Sequence, residues 1–131
     1  MNTPITFKGY QINSINYLQN EEHLDENFEP SFEPDFECSV DEEETKGMVE
    51  VISKIKTHQI ILEVSVTGFF DLNREYSEDI SELKRSLIVN GGAIILPYVR
   101  SISSIITALD SNQAVILPTV NVMELLRNKS E

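Results

Sequence analysis

The sequence predicts an α+β domain, with its strands first and its helices after them. Three observations carry that expectation. Apolar and polar residues alternate with period two through Met48 to Thr57 and Ile60 to Asp71. β-Branched and aromatic residues, with few helix formers, fill Ile5 to Leu18. After Ser77 the apolar spacing changes to threes and fours, the period of a helix face. A sheet followed by helices can bury one face of each against the other.

The first strand needs an irregularity. Ile5 and Phe7 alternate, Tyr10 and Ile12 fall on the opposite parity, and Ile15 and Tyr17 return to odd positions. One bulge near Gly9 or Asn13-Ser14 reconciles the phases. From Glu21 to Glu50 the chain holds 13 acidic residues and a single lysine, Lys46. Pro30 and Pro34 argue against a helix or a central strand, so Asn20 to Pro34 is expected to be an extended loop. From Phe36 the alternation Phe36, Cys38, Val40 reads as a strand with one apolar and one wet face. Residues 21–47 thus form an acidic loop and strand region; a disordered acidic tail is the competing reading, and the alternation counts against it.

Thr57-His58-Gln59 leaves room only for a tight connection, so the two clearest strands should form an antiparallel hairpin. Val49, Val51 and Ile55 share one face of the first; Leu62, Val64 and Val66 share one face of the second. Ser77 before Glu78 and Asp79 starts a helix with acids where its dipole favours them, and Asn90-Gly91 is placed to cap its end. A long helix follows, with Ile94, Tyr98, Ile102, Ile105 and Leu109 at spacings of four, four, three and four. Pro97 lies near its start, where a missing N–H does least harm. Asp110-Ser111-Asn112 stops it. Ala114 to Leu117 is a short apolar loop, and Thr119 or Asn121 can cap a last helix carrying Val122, Met123, Leu125 and Leu126.

The bulk properties exclude several functions. A chain of 131 residues is expected to be one domain, residues 1–131, closed by a short tail at 127–131. With 22 acidic against 10 basic residues its net charge is −12, which repels nucleic acid and anionic membrane surfaces and attracts basic polypeptides. Cys38 is the single cysteine, so no intrachain disulfide forms. The N-terminus does not read as a signal peptide, and no uninterrupted apolar run reaches the roughly 18–20 residues of a membrane span. The expected compartment is cytoplasmic, with no membrane insertion.

The residues do not predict an enzyme. Cys38 with His23 or His58 makes a nucleophile–base pair only if the fold joins them, and Cys38 reads instead as a small buried hydrophobe. The histidines lack ligand spacing, Asp41 to Glu44 lack the glycine and spacing of a calcium loop, and Gly91-Gly92 lack the rest of a phosphate-binding motif. No metal and no cofactor is expected. What remains is surface: Phe28, Phe32, Phe36, Phe69, Phe70 and Tyr98 exceed the needs of one small core, and apolar patches on an acidic surface mark a protein-binding module.

Two motifs carry a resemblance to a known family. Leu96-Pro97-Tyr98-Val99-Arg100 resembles the Phe-Pro-Tyr-Ala-Arg helix of the SecB export chaperones. Leu117 to Leu126, Leu-Pro-Thr-Val-Asn-Val-Met-Glu-Leu-Leu, is similar to that family's Ala-Pro-Val-Asn-Phe-Asp-Ala-Leu-Phe ending, and the separation fits. The resemblance implies a four-stranded antiparallel sheet backed by a long helix and a short C-terminal helix. It implies an ATP-independent holdase that keeps unfolded polypeptides in apolar grooves for export, assembled as a dimer of dimers. By the same resemblance Phe36, Cys38, Val40, Ile116, Leu117 and Val122 line the client groove. Leu62, Val64 and Val66 match an oligomer interface, and Glu63 falls at a contact with the SecA motor. Two departures open alternatives. The family's tail past the last helix, which docks on SecA, is not matched, and its Cys-Pro-Asn before the long helix is replaced by Gly91-Gly92-Ala93-Ile94. A chaperone dedicated to a single client such as an antitoxin is the second expectation; an adaptor packing on one folded partner is the third.

Overall fold

The computed structural model describes residues 3–21, 26–110 and 122–130, the last four as backbone. Four antiparallel strands, β1 (Ile5–Gln19), β2 (Ser31–Val40), β3 (Lys46–Lys56) and β4 (Ile60–Leu72), form one sheet in the order β1-β4-β3-β2. The helices follow: α1 (Ile80–Ser86), a π-helical segment (Leu87–Gly91), α2 (Gly92–Asp110) and α3 (Val122–Ser130). Ala114 to Leu117, with Ile116 and Leu117, and the proposed caps Thr119 and Asn121 lie outside the described residues, as does His23.

The β3–β4 hairpin and its two faces are as the alternation predicts. Val49, Val51, Ile55, Leu62, Val64 and Val66 are buried on the helix side, whereas Lys54 and Glu63 are exposed on the other. β1 contains two bulges rather than one, between Phe7 and Gly9 and between Ile12 and Ser14. Each inserts one residue, so Phe7, Tyr10, Ile12, Ile15 and Tyr17 all oppose helix-side residues of β4. Gly9 takes φ 139°, a backbone that side-chain-bearing residues resist.

Four expectations need correction. β2 begins at Ser31, so Phe32 and Pro34 belong to a strand rather than a loop; β2 is last in the sheet order, a position in which a proline is tolerated. The first helix is capped by Asp79, whose carboxylate accepts the Ser81 N–H at 3.0 Å, while Ser77 Oγ accepts the Asp79 N–H. Asn90-Gly91 caps nothing: helical backbone continues from Ile80 to Asp110 through the π-helical segment, and Pro97 lies inside it. That continuous helix is long and apolar enough to cross a membrane by length and composition, which the search for uninterrupted apolar runs missed. One of its faces packs on the sheet, as in any helix-on-sheet domain.

Gly91 and Gly92 serve close packing. A Cβ on Gly91 would stand 3.0 Å from Val49 Cγ2, and one on Gly92 3.0 Å from Phe36 Cδ1. The helix rests on the sheet through Ile95, Leu96, Val99, Ser103 and Thr107. The two hydroxyls are satisfied inside the helix, Ser103 Oγ donating to Val99 O at 2.8 Å and Thr107 Oγ1 to Ser103 O at 2.9 Å. Small, self-satisfied side chains let helix and sheet approach without orphaning a polar group.

Candidate functional site

Two surfaces stand out, and β1 and the junction of β2 with the helices position them. At that junction Phe36 and Val122 meet over Gly92: a Cβ there would lie 3.0 Å from Phe36 and 3.4 Å from Val122 Cγ1. Both are buried, at 7% and 5% exposure, and belong to the same apolar core. The structure therefore makes them the floor of the seam between β2 and α3 rather than an open surface. Val40 is half-buried farther along the same strand face. Leu125 and Leu126 of α3 pack half-buried on the core, and Met123 is exposed beside them.

Cys38 departs from the expectation of a buried hydrophobe. It is exposed on the β2 edge, because nothing among the described residues covers that end of the strand. Desolvation by its neighbours pushes the thiol pKa up, with the Lys84 ammonium pulling it back down. A thiol held in its neutral form is no activated nucleophile. His58 sits in the β3–β4 turn, edge-on to Phe28 with ring centroids 5.3 Å apart, and Lys56 lies over the same Phe28 ring. Among the described residues no three His, Cys, Asp or Glu side chains are grouped to hold a metal ion.

Leu62, Val64 and Val66 cannot be contact residues of an oligomer interface. Each has 0% exposure within its own chain, covered by the helices, which leaves no surface for another subunit. The apolar surface lies elsewhere. Ile94, Ile105 and Leu109 project from the flank of α2, and Tyr10, Ile12 and Ile15 from the helix side of β1. Ile105 is 60% exposed, Leu109 80% and Ile12 50%. Tyr98 on α2 stacks on Tyr10 with centroids 4.1 Å apart and lies 6.2 Å from Phe7, which ties the two rows into one patch. The helical period of this row was visible in the sequence; that Tyr98 and Ile102 pack against the core while Ile94, Ile105 and Leu109 stay exposed was not.

A polar clasp closes the far end of this patch. Tyr17 Oη and Gln19 Nε2 both donate to Asp110 Oδ2, the latter at 3.0 Å. These bonds hold the Asp110 carboxyl below the usual carboxylate range. Desolvation, then the carboxylate beside it, raises the Tyr17 phenol. An acid at a helix C-terminus opposes the helix dipole, and two donors from β1 offset that.

Glu63 is exposed on the other side of the sheet, in register between Lys54 of β3 and Asn16 of β1. Nearby, the bulged Asn13 donates through Nδ2 to Thr67 Oγ1 at 2.7 Å, Ser65 Oγ at 3.1 Å and Glu50 Oε2 at 3.3 Å, and Ser65 Oγ donates to Glu50 Oε2 at 2.9 Å. The second bulge of β1 thus aims a side chain across this face.

No family model matches the chain. MJ0357, an uncharacterized protein of Methanocaldococcus jannaschii, is 29% identical over 136 residues, covering 97% of this chain and 85% of that protein. Among solved structures, the fold is similar to Rv1957 of Mycobacterium tuberculosis, a SecB-like chaperone in complex with a ChAD peptide from the Rv1956 HigA1 antitoxin. That match has a TM-score of 0.72 at 12% identity, over 89% of this chain and 91% of the other. A protein of unknown function from Streptococcus agalactiae matches with a TM-score of 0.51 at 16% identity, over 88% and 97%.

Proposed function

The chain has the SecB-like fold, and we propose that it is a chaperone that binds polypeptides without ATP. One observation carries the reading: the solved neighbour with this fold holds a client peptide. The seam floored by Phe36 and Val122 and flanked by Val40 and Cys38 is the client groove of this proposal. An unfolded segment offers apolar side chains, and β2, the outermost strand of the sheet, offers a half-buried apolar face. The charge of −12 keeps such a surface soluble.

Self-association is part of the proposal, through a different surface from the one the sequence suggested. β1 is a 15-residue free edge with one charged residue, Lys8, beside the apolar row of α2. A long edge with so little charge invites a second copy, and the exposed Ile105 and Leu109 would be covered by it. A dimer of dimers would give several weak grooves per particle, hence avidity. In this reading residues 1–131 act as one cytoplasmic domain.

Export is the broader version of the function, with Glu63 as the contact for SecA. The antitoxin peptide held by Rv1957 favours a second reading, a chaperone dedicated to one client. Suppression of aggregation of an unrelated, slowly refolding protein separates the two. Suppression at near-stoichiometric amounts without ATP is the expected result for a general holdase. A folded oligomer that fails to suppress would leave the dedicated client, sought as a co-purifying protein.

A further inference from the structure

The apolar face of β2 is covered at one end and open at the other. Phe36 is buried under Gly92 and Val122. Cys38 has the same parity and is exposed, and Val40 beyond it is half-buried. The wall beside this open end comes from the continuous helix. Leu87 packs on Gly47, where a Cβ would stand 2.6 Å from Leu87 Cδ2, and Gly47 is the register partner of Val40. Lys84 lies one turn before Leu87, on the neighbouring rung of the same helix side.

Among the described residues Lys84 forms no ion pair, although it is exposed in a chain of net charge −12. Lys8 and Arg74, by contrast, pair with Asp71 at 3.9 Å and Glu44 at 2.8 Å. The Lys84 ammonium is near enough to pull the Cys38 thiol pKa down against desolvation. It therefore stands beside the open end of β2 with its charge uncompensated. The sign of the whole molecule is reversed at this one rim. An apolar floor bordered by an unpaired ammonium matches a segment that carries apolar side chains and one carboxylate.

We propose that Lys84 sets the specificity of the groove, which accepts an extended apolar segment bearing an aspartate or glutamate and pairs that carboxylate with the Lys84 ammonium. The inference rests on the chaperone reading and adds the chemical class of the client. Contact with Val40 and Val122 supplies affinity, and the ion pair chooses among apolar segments. The charge of −12 does not forbid this. At physiological salt the field of distant charges is screened beyond about 8 Å, so the nearest ammonium governs the contact.

Met123, exposed on α3 next to Val122, reports on the groove directly. The full chain, labelled with ¹³C at the methionine methyls, is titrated at physiological salt with two capped peptides. One is acetyl-Ser-Leu-Val-Asp-Leu-Val-Ser-amide; the other replaces its aspartate by asparagine, which keeps the shape and removes the charge. The Met123 signal is assigned by Met123→Leu. The acidic peptide should shift Met123 saturably and bind about fivefold more tightly than the asparagine peptide. Lys84→Gln, an exposed change on the helix, should bring the two affinities together, and Lys84→Arg should keep them apart. Equal affinities in the parent protein, or a preference that survives Lys84→Gln, overturn the proposal and leave the chaperone reading standing. A Met123 signal that stays still with both peptides overturns the proposal and the client groove together.

Discussion

The two sides of α2 both carry apolar residues, and they are treated differently. The face on the sheet carries Ser103 and Thr107 along with Ile95, Leu96 and Val99; the face away from it carries Ile94, Ile105 and Leu109. The buried face tolerates hydroxyls because each donates to a carbonyl of its own helix, so nothing polar is stranded. The outer face gains nothing from its isoleucines and leucine unless a second surface covers them. Close packing, rather than apolar content, marks what this helix buries in its own chain.

The difference between a core and an interface can be broken most sharply on β4. Val64→Asp should unfold the chain, losing about 4 kcal/mol or more, because a carboxylate would enter a site with no exposure. A Val64→Asp protein that keeps a native urea transition would return that residue to the interface. Gly68→Ala tests the tightness of the α2 contact, since the added Cβ would stand 2.4 Å from Ile95 Cδ1. A loss of about 2 kcal/mol is expected by chemical denaturation.

On the outer face the same kind of change should do something else. Ile105→Asp with Leu109→Asp should leave the circular dichroism spectrum native and shift chain stability by no more than about 1 kcal/mol. If the proposed self-association runs through this face, light scattering should report a smaller particle than the parent protein; an unchanged mass would overturn that part of the proposal. A smaller effect of opposite sign is expected at Ser53, whose buried Oγ has no hydrogen-bond partner among the described residues. Ser53→Ala should stabilise the chain by about 1 kcal/mol, because burying that hydroxyl costs more than it returns.

The most local effect belongs to the β2–β3 turn and the clasp. Asp41 accepts the backbone N–H groups of Thr45 and Lys46 at 2.8 and 2.9 Å, and those bonds lower its pKa, as Tyr17 and Gln19 lower that of Asp110. A depressed folded-state pKa contributes stability that is present above the unfolded value, near 3.9, and is lost as pH falls through the folded one. The protection of the Thr45 and Lys46 amides, relative to their intrinsic exchange rates, should therefore fall below about pH 4 in the parent protein. Asp41→Asn should flatten that acid dependence; a profile that keeps its slope would assign it to other carboxylates.

Much of the sheet was legible in the residues. Val49, Val51 and Ile55 against Lys54 and Lys56 fix which face is buried, and the short Thr57-His58-Gln59 connection then sets the register. The parity changes in β1 announced bulging, although two one-residue insertions restore the original parity at the far end of the strand and disguise their number. Pro34 misled because a proline forbids a central strand but not an edge, and which strand lies at the edge is a property of the sheet. Gly91-Gly92 misled in the same way: the pair reads as a break, and only the nearness of Phe36 and Val49 shows that it makes room.

The groove residues were the least legible. Phe36 and Cys38 share a parity, yet one lies under the helix junction and the other at an uncovered end of β2. The apolar row from Ile94 to Leu109 was found without its orientation, and Lys84 beside Cys38 could not be seen before the helices were set against β2.

The sequence by itself determined the strands, the period of the helices and the acidic charge, because alternation, spacing and composition act over a few neighbouring residues. Only the tertiary structure decided which apolar residues are core and which are left outward, and which charges stand beside them. Burial and pairing depend on what the rest of the chain places alongside a residue, and no local pattern records that.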